Sequence, residues 1–227
     1  TQESLREAEE LKKAANDHFK ASQWNEALVS YRTALGHLPK RKESPKQEIS
    51  PAEALDSDDD ADLGGPRDTA KLETETPPSE IEIECSKARS ILNANIAACL
   101  MNVGEQKDVV EACTQALLDD PSYIKALQRR AAANEKINTW TSLTHAQEDY
   151  TALVDLLPPS SPQHVQAKKA LTLLKPRQEA AQKKETDEMM TKLKGLGNTF
   201  LSNFGLSTDN FKFEPNGQGG YSMNVSR

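Results

Sequence analysis

A pattern that returns three times constrains this chain more than any other feature. Residues 12–39, "KKAANDHFKASQWNEALVSYRTALGHLP", read as helix, short turn, helix and proline stop. Ala15 and Phe19 sit on the first helix, and Ala27, Tyr31 and Ala34 form one stripe on the second, at spacings of four and three. "SILNANIAACLMNVGEQKDVVEACTQALLDDP" repeats the scheme, with Ala97, Leu100, Gly104, Cys113, Ala116 and Pro121 in equivalent places. A third copy starts at Ile124 and carries Ala131, Ala146, Tyr150, Leu153 and Pro158; "INTWTSL" reads as a longer turn between its helices.

A helical hairpin of this length cannot bury its apolar face alone, so neighbours must stack into a solenoid with a concave groove. The small residues at helix crossings and the closing proline, at a period of about 34 residues, are the tetratricopeptide signature. An ordinary helical bundle would not return small or apolar residues to the same places three times, each time with a closing proline. The expected fold is therefore all-α: a three-repeat tetratricopeptide (TPR) solenoid over 1–38, 85–121 and 122–158, closed by a capping helix over 162–194.

Two segments depart from the repeat. Residues 39–84 are rich in Pro, Ser, Asp and Glu and hold no aromatic residue. Such a stretch cannot bury enough apolar surface to order itself, and it reads as an acidic insertion between repeats one and two. A helix is expected to begin near Ile81. Ser57 precedes Asp58, Asp59 and Asp60, which makes it a candidate phosphosite; a solubilising loop explains the same residues. Within the capping helix, Val165, Leu171 and Leu174 are placed to cover the last repeat, and Pro176 is placed to kink or restart the helix. Residues 195–227 form an apolar tail with four of the five phenylalanines. "FKF" and "YSMNV" alternate apolar and polar residues around "EPNGQGG", the pattern of a small β-hairpin. A lone hairpin is marginal in water, so Phe200, Phe204, Phe211, Phe213 and Tyr221 are candidates for packing either on the solenoid or on a partner.

Several function classes are disfavoured. The net charge of -7 argues against nucleic acid as the main ligand. The N-terminal "TQESLREAEE" is too charged for a secretory signal, and "IAACLM" is too short to span a bilayer. Cys85, Cys99 and Cys113 have no metal-ligand spacing, and neither have the four scattered histidines; the cysteines read as small core residues in a reducing compartment. No nucleophile lies beside a base and no phosphate loop is present, so neither a catalytic site nor a cofactor is expected.

The polar residues on the first helix of each repeat carry the chemistry. Lys12 and Asn16 are four apart and share a face. Asn95 lies in "LNANIAA", and Lys125 and Arg129 again share a face in "KALQR". In a solenoid these helices line the groove, which then holds three cations and two amides. A peptide ending in Asp presents two carboxylates, and charge-assisted hydrogen bonds to them are roughly twice as strong as neutral ones. The arrangement resembles the dicarboxylate clamp of TPR co-chaperones: Lys-x-x-x-Asn, Asn, and Lys-x-x-x-Arg on the first, third and fifth helices, with all five places filled here. The tail "KLKGLGNTFLSNFGLSTDNFKF…GGYSMN" also looks like that of small eukaryotic adaptors of this kind. The resemblance implies a cytoplasmic, non-enzymatic adaptor. Its partners would be the C-terminal Glu-Glu-Val-Asp of heat-shock proteins 90 and 70, with a client on the tail and neither nucleic acid nor membrane. A chaperone-independent scaffold for another acidic C-terminal peptide fits the same residues.

Overall fold

The computed structural model describes residues 2–41, 79–208, 211–215 and 221–225; side chains beyond Phe211 are not described. Of the insertion expected over 39–84, residues 42–78, with Ser57, lie outside the described residues, and Ser79 to Glu84 instead open the first helix of repeat two. Helices α1 (Gln2–Lys20) and α2 (Trp24–His37) form the first hairpin. The second is α3 (Glu80–Val103) with α4 (Gln106–Asp119), and the third is α5 (Ile124–Ile137) with α6 (Trp140–Leu156). Helix α7 (Pro162–Ser202) follows. Each helix packs on the next, and α3 also touches both α1 and α5, which is how stacked hairpins differ from a ring-like bundle. The first helices of the three hairpins thus form one layer and α2, α4 and α6 the other.

Local chemistry places the helix ends. Ser79 caps α3 with a reciprocal capping box: its Oγ accepts from the Glu82 N–H, and the Glu82 carboxylate accepts from the Ser79 N–H at 2.8 Å. Helix α3 therefore starts at Glu80, beside the helix start near Ile81 expected from the sequence. Gly104 ends α3 at φ 98, a left-handed conformation that favours glycine. The turn read from "INTWTSL" shrinks to Asn138 and Thr139. Asn138 takes φ 57, and Thr139 caps α6 through Ser142, so α6 begins at Trp140.

The core is built on small residues. Ala15, Ala27, Ala34, Ala97, Ala116, Ala126, Ala131 and Ala146 are fully buried where helices cross, and one apolar cluster runs from Ala8 to Ala167. A smaller cluster of Leu143, Ala146 and Leu174 joins α6 to α7. Leu174 covers the last repeat as expected, whereas Val165 is 58% exposed and Ala167 takes the buried place. Helix α7 passes Pro176 without ending and continues beyond 194 to Ser202. A proline removes one backbone donor, and anchoring on repeat three holds this stretch of helix. Arg177 donates to the Glu135 carboxylate at 2.6 Å, to the Glu135 carbonyl at 2.8 Å and to Asn138 Oδ1 at 2.8 Å.

Charged side chains tie the layers. Asp149, nearly buried on α6, accepts from Arg130 on α5 at 2.6 Å, and this bond holds the Arg130 proton more tightly than usual. Asp119, at the end of α4, accepts from both Arg89 on α3 and Arg41 at 2.7 Å. Arg89 also donates to the Pro39 carbonyl at 2.9 Å, and Arg41 to the Gln115 carbonyl at 3.0 Å. Arg41 is the last described residue before Ser79, so this knot holds repeat one on repeat two although 37 residues intervene.

The tail forms the expected hairpin. Strand β1 (Phe211–Pro215) pairs antiparallel with β2 (Tyr221–Val225), Phe211 opposite Val225 and Phe213 opposite Met223. The register puts positions 211, 213, 215, 221, 223 and 225 on one side of the ribbon. The link from α7 turns back on the helix. Leu206 N–H donates to the Leu201 carbonyl, and Thr208 N–H to Asn198 Oδ1 at 2.6 Å. Gly197 makes this approach possible, since a Cβ there would lie 3.0 Å from the Thr208 methyl. Among the described residues no helix is long and apolar enough to cross a membrane.

Candidate peptide-binding groove

The inner layer carries all five residues singled out above. Lys12 and Asn16 lie on α1, Asn95 on α3, and Lys125 and Arg129 on α5. The spacing of four puts each pair on one face of its helix. The alanines between them, Ala15, Ala94, Ala97 and Ala126, are buried and let the three helices come close.

Arg129 reaches across that layer. Its Nη1 donates to the Ala94 carbonyl at 2.7 Å, one residue before Asn95, so α5 is fastened to α3 at the groove. Its charge is felt by groups on three other elements. Burial pushes the Tyr31 hydroxyl up to about 12 and the Cys99 thiol up to about 11, and Arg129 pulls both back down. The same cation acts on Cys113 and Tyr123, again against the larger effect of burial.

Asn16 is oriented from the second layer. The Tyr31 hydroxyl on α2 donates to its Oδ1 at 2.6 Å, which leaves the amide nitrogen as the group available to a ligand. Asn95 is half-buried and Lys125 exposed; neither side chain has a hydrogen-bond partner among the described residues. Lys12 differs: its ammonium is paired with Glu9 one turn away and its side chain is 18% exposed. A ligand carboxylate would have to compete with Glu9 for it.

Sequence reading missed three groups here: the Tyr31 hydroxyl, the Ala94 carbonyl and the Glu9 carboxylate. Tyr31 counted only as an apolar stripe residue, and no periodicity marks a backbone carbonyl. Glu9 lies three residues before Lys12, a helical neighbour that the charge pattern of "EELKK" could have revealed.

The tail surface is partly visible. Phe200 and Phe204 are 67% and 68% exposed, and their rings lie 5.7 Å apart. Met189, Leu193 and Leu196 extend the same exposed apolar stretch along α7. Phe211 is half-buried, while the side chains of Phe213 and Tyr221 lie outside the described residues.

No protein-family model matches the chain. Among curated proteins, the mitochondrial import receptor subunit TOM70 of Saccharomyces cerevisiae is 47% identical over 49 residues, 22% of this chain. The peptidyl-prolyl cis-trans isomerase PASTICCINO1 of Arabidopsis thaliana is 40% identical over 45 residues, 20% of this chain. The chain spans only 8% and 7% of the lengths of those relatives. Among solved structures, the C-terminal TPR-containing domain of a Plasmodium falciparum FK506-binding protein superposes with a TM-score of 0.53 at 19% identity, covering 80% of this chain and 95% of that one. The Saccharomyces cerevisiae Hsp90 co-chaperone Cns1 superposes with a TM-score of 0.50 at 17% identity, over 92% of this chain and 51% of that one. Likeness at this level establishes architecture: helices α1–α7 are a TPR solenoid of three repeats with a capping helix.

Proposed function

We propose that this chain is a non-enzymatic co-chaperone adaptor. In this reading the inner layer of the solenoid clamps the C-terminal Glu-Glu-Val-Asp of heat-shock protein 90, heat-shock protein 70 or both. The observation that carries it is the set of Lys12, Asn16, Asn95, Lys125 and Arg129 on three adjoining helices, with Asn16 turned by Tyr31 and Arg129 fastened beside Asn95. The terminal Asp brings two carboxylates; Lys12, Lys125 and Arg129 neutralise them, and the Asn amides donate to carboxylate or peptide oxygen. That one fold neighbour is named an Hsp90 co-chaperone agrees with this reading. A chaperone-tail adaptor would work in the cytoplasm.

The apolar tail that carries Phe200, Phe204, Phe211, Phe213 and Tyr221 is the candidate client surface, and the exposed Met189, Leu193 and Leu196 adjoin it. Two weak sites on one chain raise effective concentration without any new contact. The tail sequence looks like the C-terminus of tetratricopeptide repeat protein one, a small co-chaperone-like adaptor, and supports the same reading.

The test is a titration with a pentapeptide ending in Glu-Glu-Val-Asp, as free acid and as C-terminal amide, on the native chain and on Lys125→Ala/Arg129→Ala. Micromolar binding of the acid, lost in the amide and in the variant, supports the clamp. Indifference to the amide overturns it. Equal binding of unrelated acidic C-termini would favour a chaperone-independent scaffold.

A further inference from the structure

A cavity of about 400 Å³ opens at the repeat-one/repeat-two junction, between the end of α2, residues 38–41, α3 and the end of α4. Four cationic side chains line it, Arg32, Lys40, Arg41 and Arg89, against the single carboxylate of Asp119. That carboxylate is 1% exposed and already occupied by Arg41 and Arg89. Burial alone would raise the proton affinity of Asp119; the two guanidiniums outweigh burial and keep it ionised. Arg32 and Lys40 have no carboxylate partner among the described residues.

A second observation points to a ligand. Asn93, on the cavity wall, is only 8% exposed, and its side-chain amide has no hydrogen-bond partner among the described residues. The amide is not sealed off from the cavity's solvent, so it is open to donate to an oxygen of an occupant. The cations beside it call for an anion.

The chain carries a matching segment. Residues 42–78 leave directly from Arg41 on the rim of the cavity and rejoin the fold at Ser79. They hold eleven acidic and four basic side chains, an excess equal to the whole chain's net charge of -7. The densest run is "DSDDDAD", residues 56–62. Fourteen residues separate Arg41 from Asp56, an r.m.s. reach of roughly 20 Å. A short tether gives an effective concentration on the order of millimolar. We propose that this basal cavity is a docking site for residues 56–62 of the same chain, with Arg32 and Lys40 pairing the aspartates and the Asn93 amide donating to a carboxylate. This inference is independent of the groove reading, because the two sites share no residue. Phosphorylation at Ser57 would add about -1.5 to -2 charge to the docked run.

The test uses the full chain with a nitroxide spin label on Ser57→Cys. The three native thiols are buried, and two of them stay protonated at neutral pH, so the label goes to the new cysteine. Docking should broaden the amide signals of residues 32–41 and the side-chain amide of Asn93. The broadening should vanish in Arg32→Glu/Lys40→Glu, whose altered side chains are exposed and leave the fold intact. It should also fade in 1 M salt, where screening acts within about 3 Å. Broadening that persists in the double variant overturns the proposal. So does broadening spread evenly over the surface, which would assign the cavity to an outside anion, or broadening centred on Lys125 and Arg129.

Discussion

Arg89 and Asp119 sit on consecutive helices, and their side chains meet at 2.7 Å with the carboxylate 1% exposed. Asp119 also takes Arg41, the last described residue before Ser79, so one buried acid fastens three elements. Removing one partner of a buried pair leaves an uncompensated charge and costs about 3–5 kcal/mol. Asp119→Ala should lose that much in denaturant unfolding. Arg41→Ala, whose side chain is 33% exposed, should cost clearly less. Equal costs would mean that Arg89 does not depend on the acid.

Tyr31 should act on the ligand without touching it. Tyr31→Phe removes the hydroxyl that holds Asn16 Oδ1. A hydrogen bond of this kind is worth about 0.5–1.5 kcal/mol. Peptide affinity should fall roughly three- to tenfold, while Phe fills the same apolar space. Unchanged affinity would mean that the orientation of Asn16 is immaterial.

Glu9 should restrain binding. Its pairing with Lys12 withholds one of the three cations from a peptide carboxylate. An ion pair this close to solvent is worth about 0.2–1 kcal/mol, so Glu9→Gln should tighten the pentapeptide by up to about fivefold, and Lys12→Ala should weaken it. Weaker binding in Glu9→Gln would show that Glu9 positions Lys12 rather than competing for it.

The two α5 cations should separate by their effect on stability. Lys125 is exposed and unpaired among the described residues, so Lys125→Ala should weaken the peptide and leave unfolding unchanged. Arg129 satisfies the Ala94 carbonyl, so Arg129→Ala should lose affinity and about 1–3 kcal/mol of stability together. A destabilised Lys125→Ala would contradict this division.

High pH should loosen the core. Burial raises the Cys99 thiol from 9.0 to about 11 and the Cys113 thiol to about 12. The fold favours the protonated thiols, so the unfolded chain ionises first. Their contribution is intact below pH 9 and is lost as pH rises from there toward 12. Each thiol approaches a slope of about 1.4 kcal/mol per pH unit in that window. Denaturation midpoints at pH 8 and pH 10.5 should diverge, and Cys99→Ala/Cys113→Ala should narrow the gap. An equal gap in the variant would assign the loss to other groups, Tyr31 first among them.

What the sequence determined by itself was set by short-range periodicity. Alanines three, four and seven apart and a proline after each hairpin act within one or two helical turns, so the repeats and their inner faces could be read directly. The alternation in "FKF" and "YSMNV" revealed the hairpin in the same way. Candidate groove residues were legible because a spacing of four fixes a shared face in any α-helix. Tertiary structure alone decided which polar groups remain free for a ligand. Asn16 meets Tyr31 fifteen residues away, Arg129 meets the Ala94 carbonyl thirty-five away, and Asp119 gathers Arg41 from seventy-eight away. It also decided that α7 runs through Pro176, because Arg177 finds three oxygens on repeat three. Such pairings depend on how hairpins stack, and no local period records them, since a hydrogen bond or ion pair is made wherever two groups are brought together in a place too dry for water to compete.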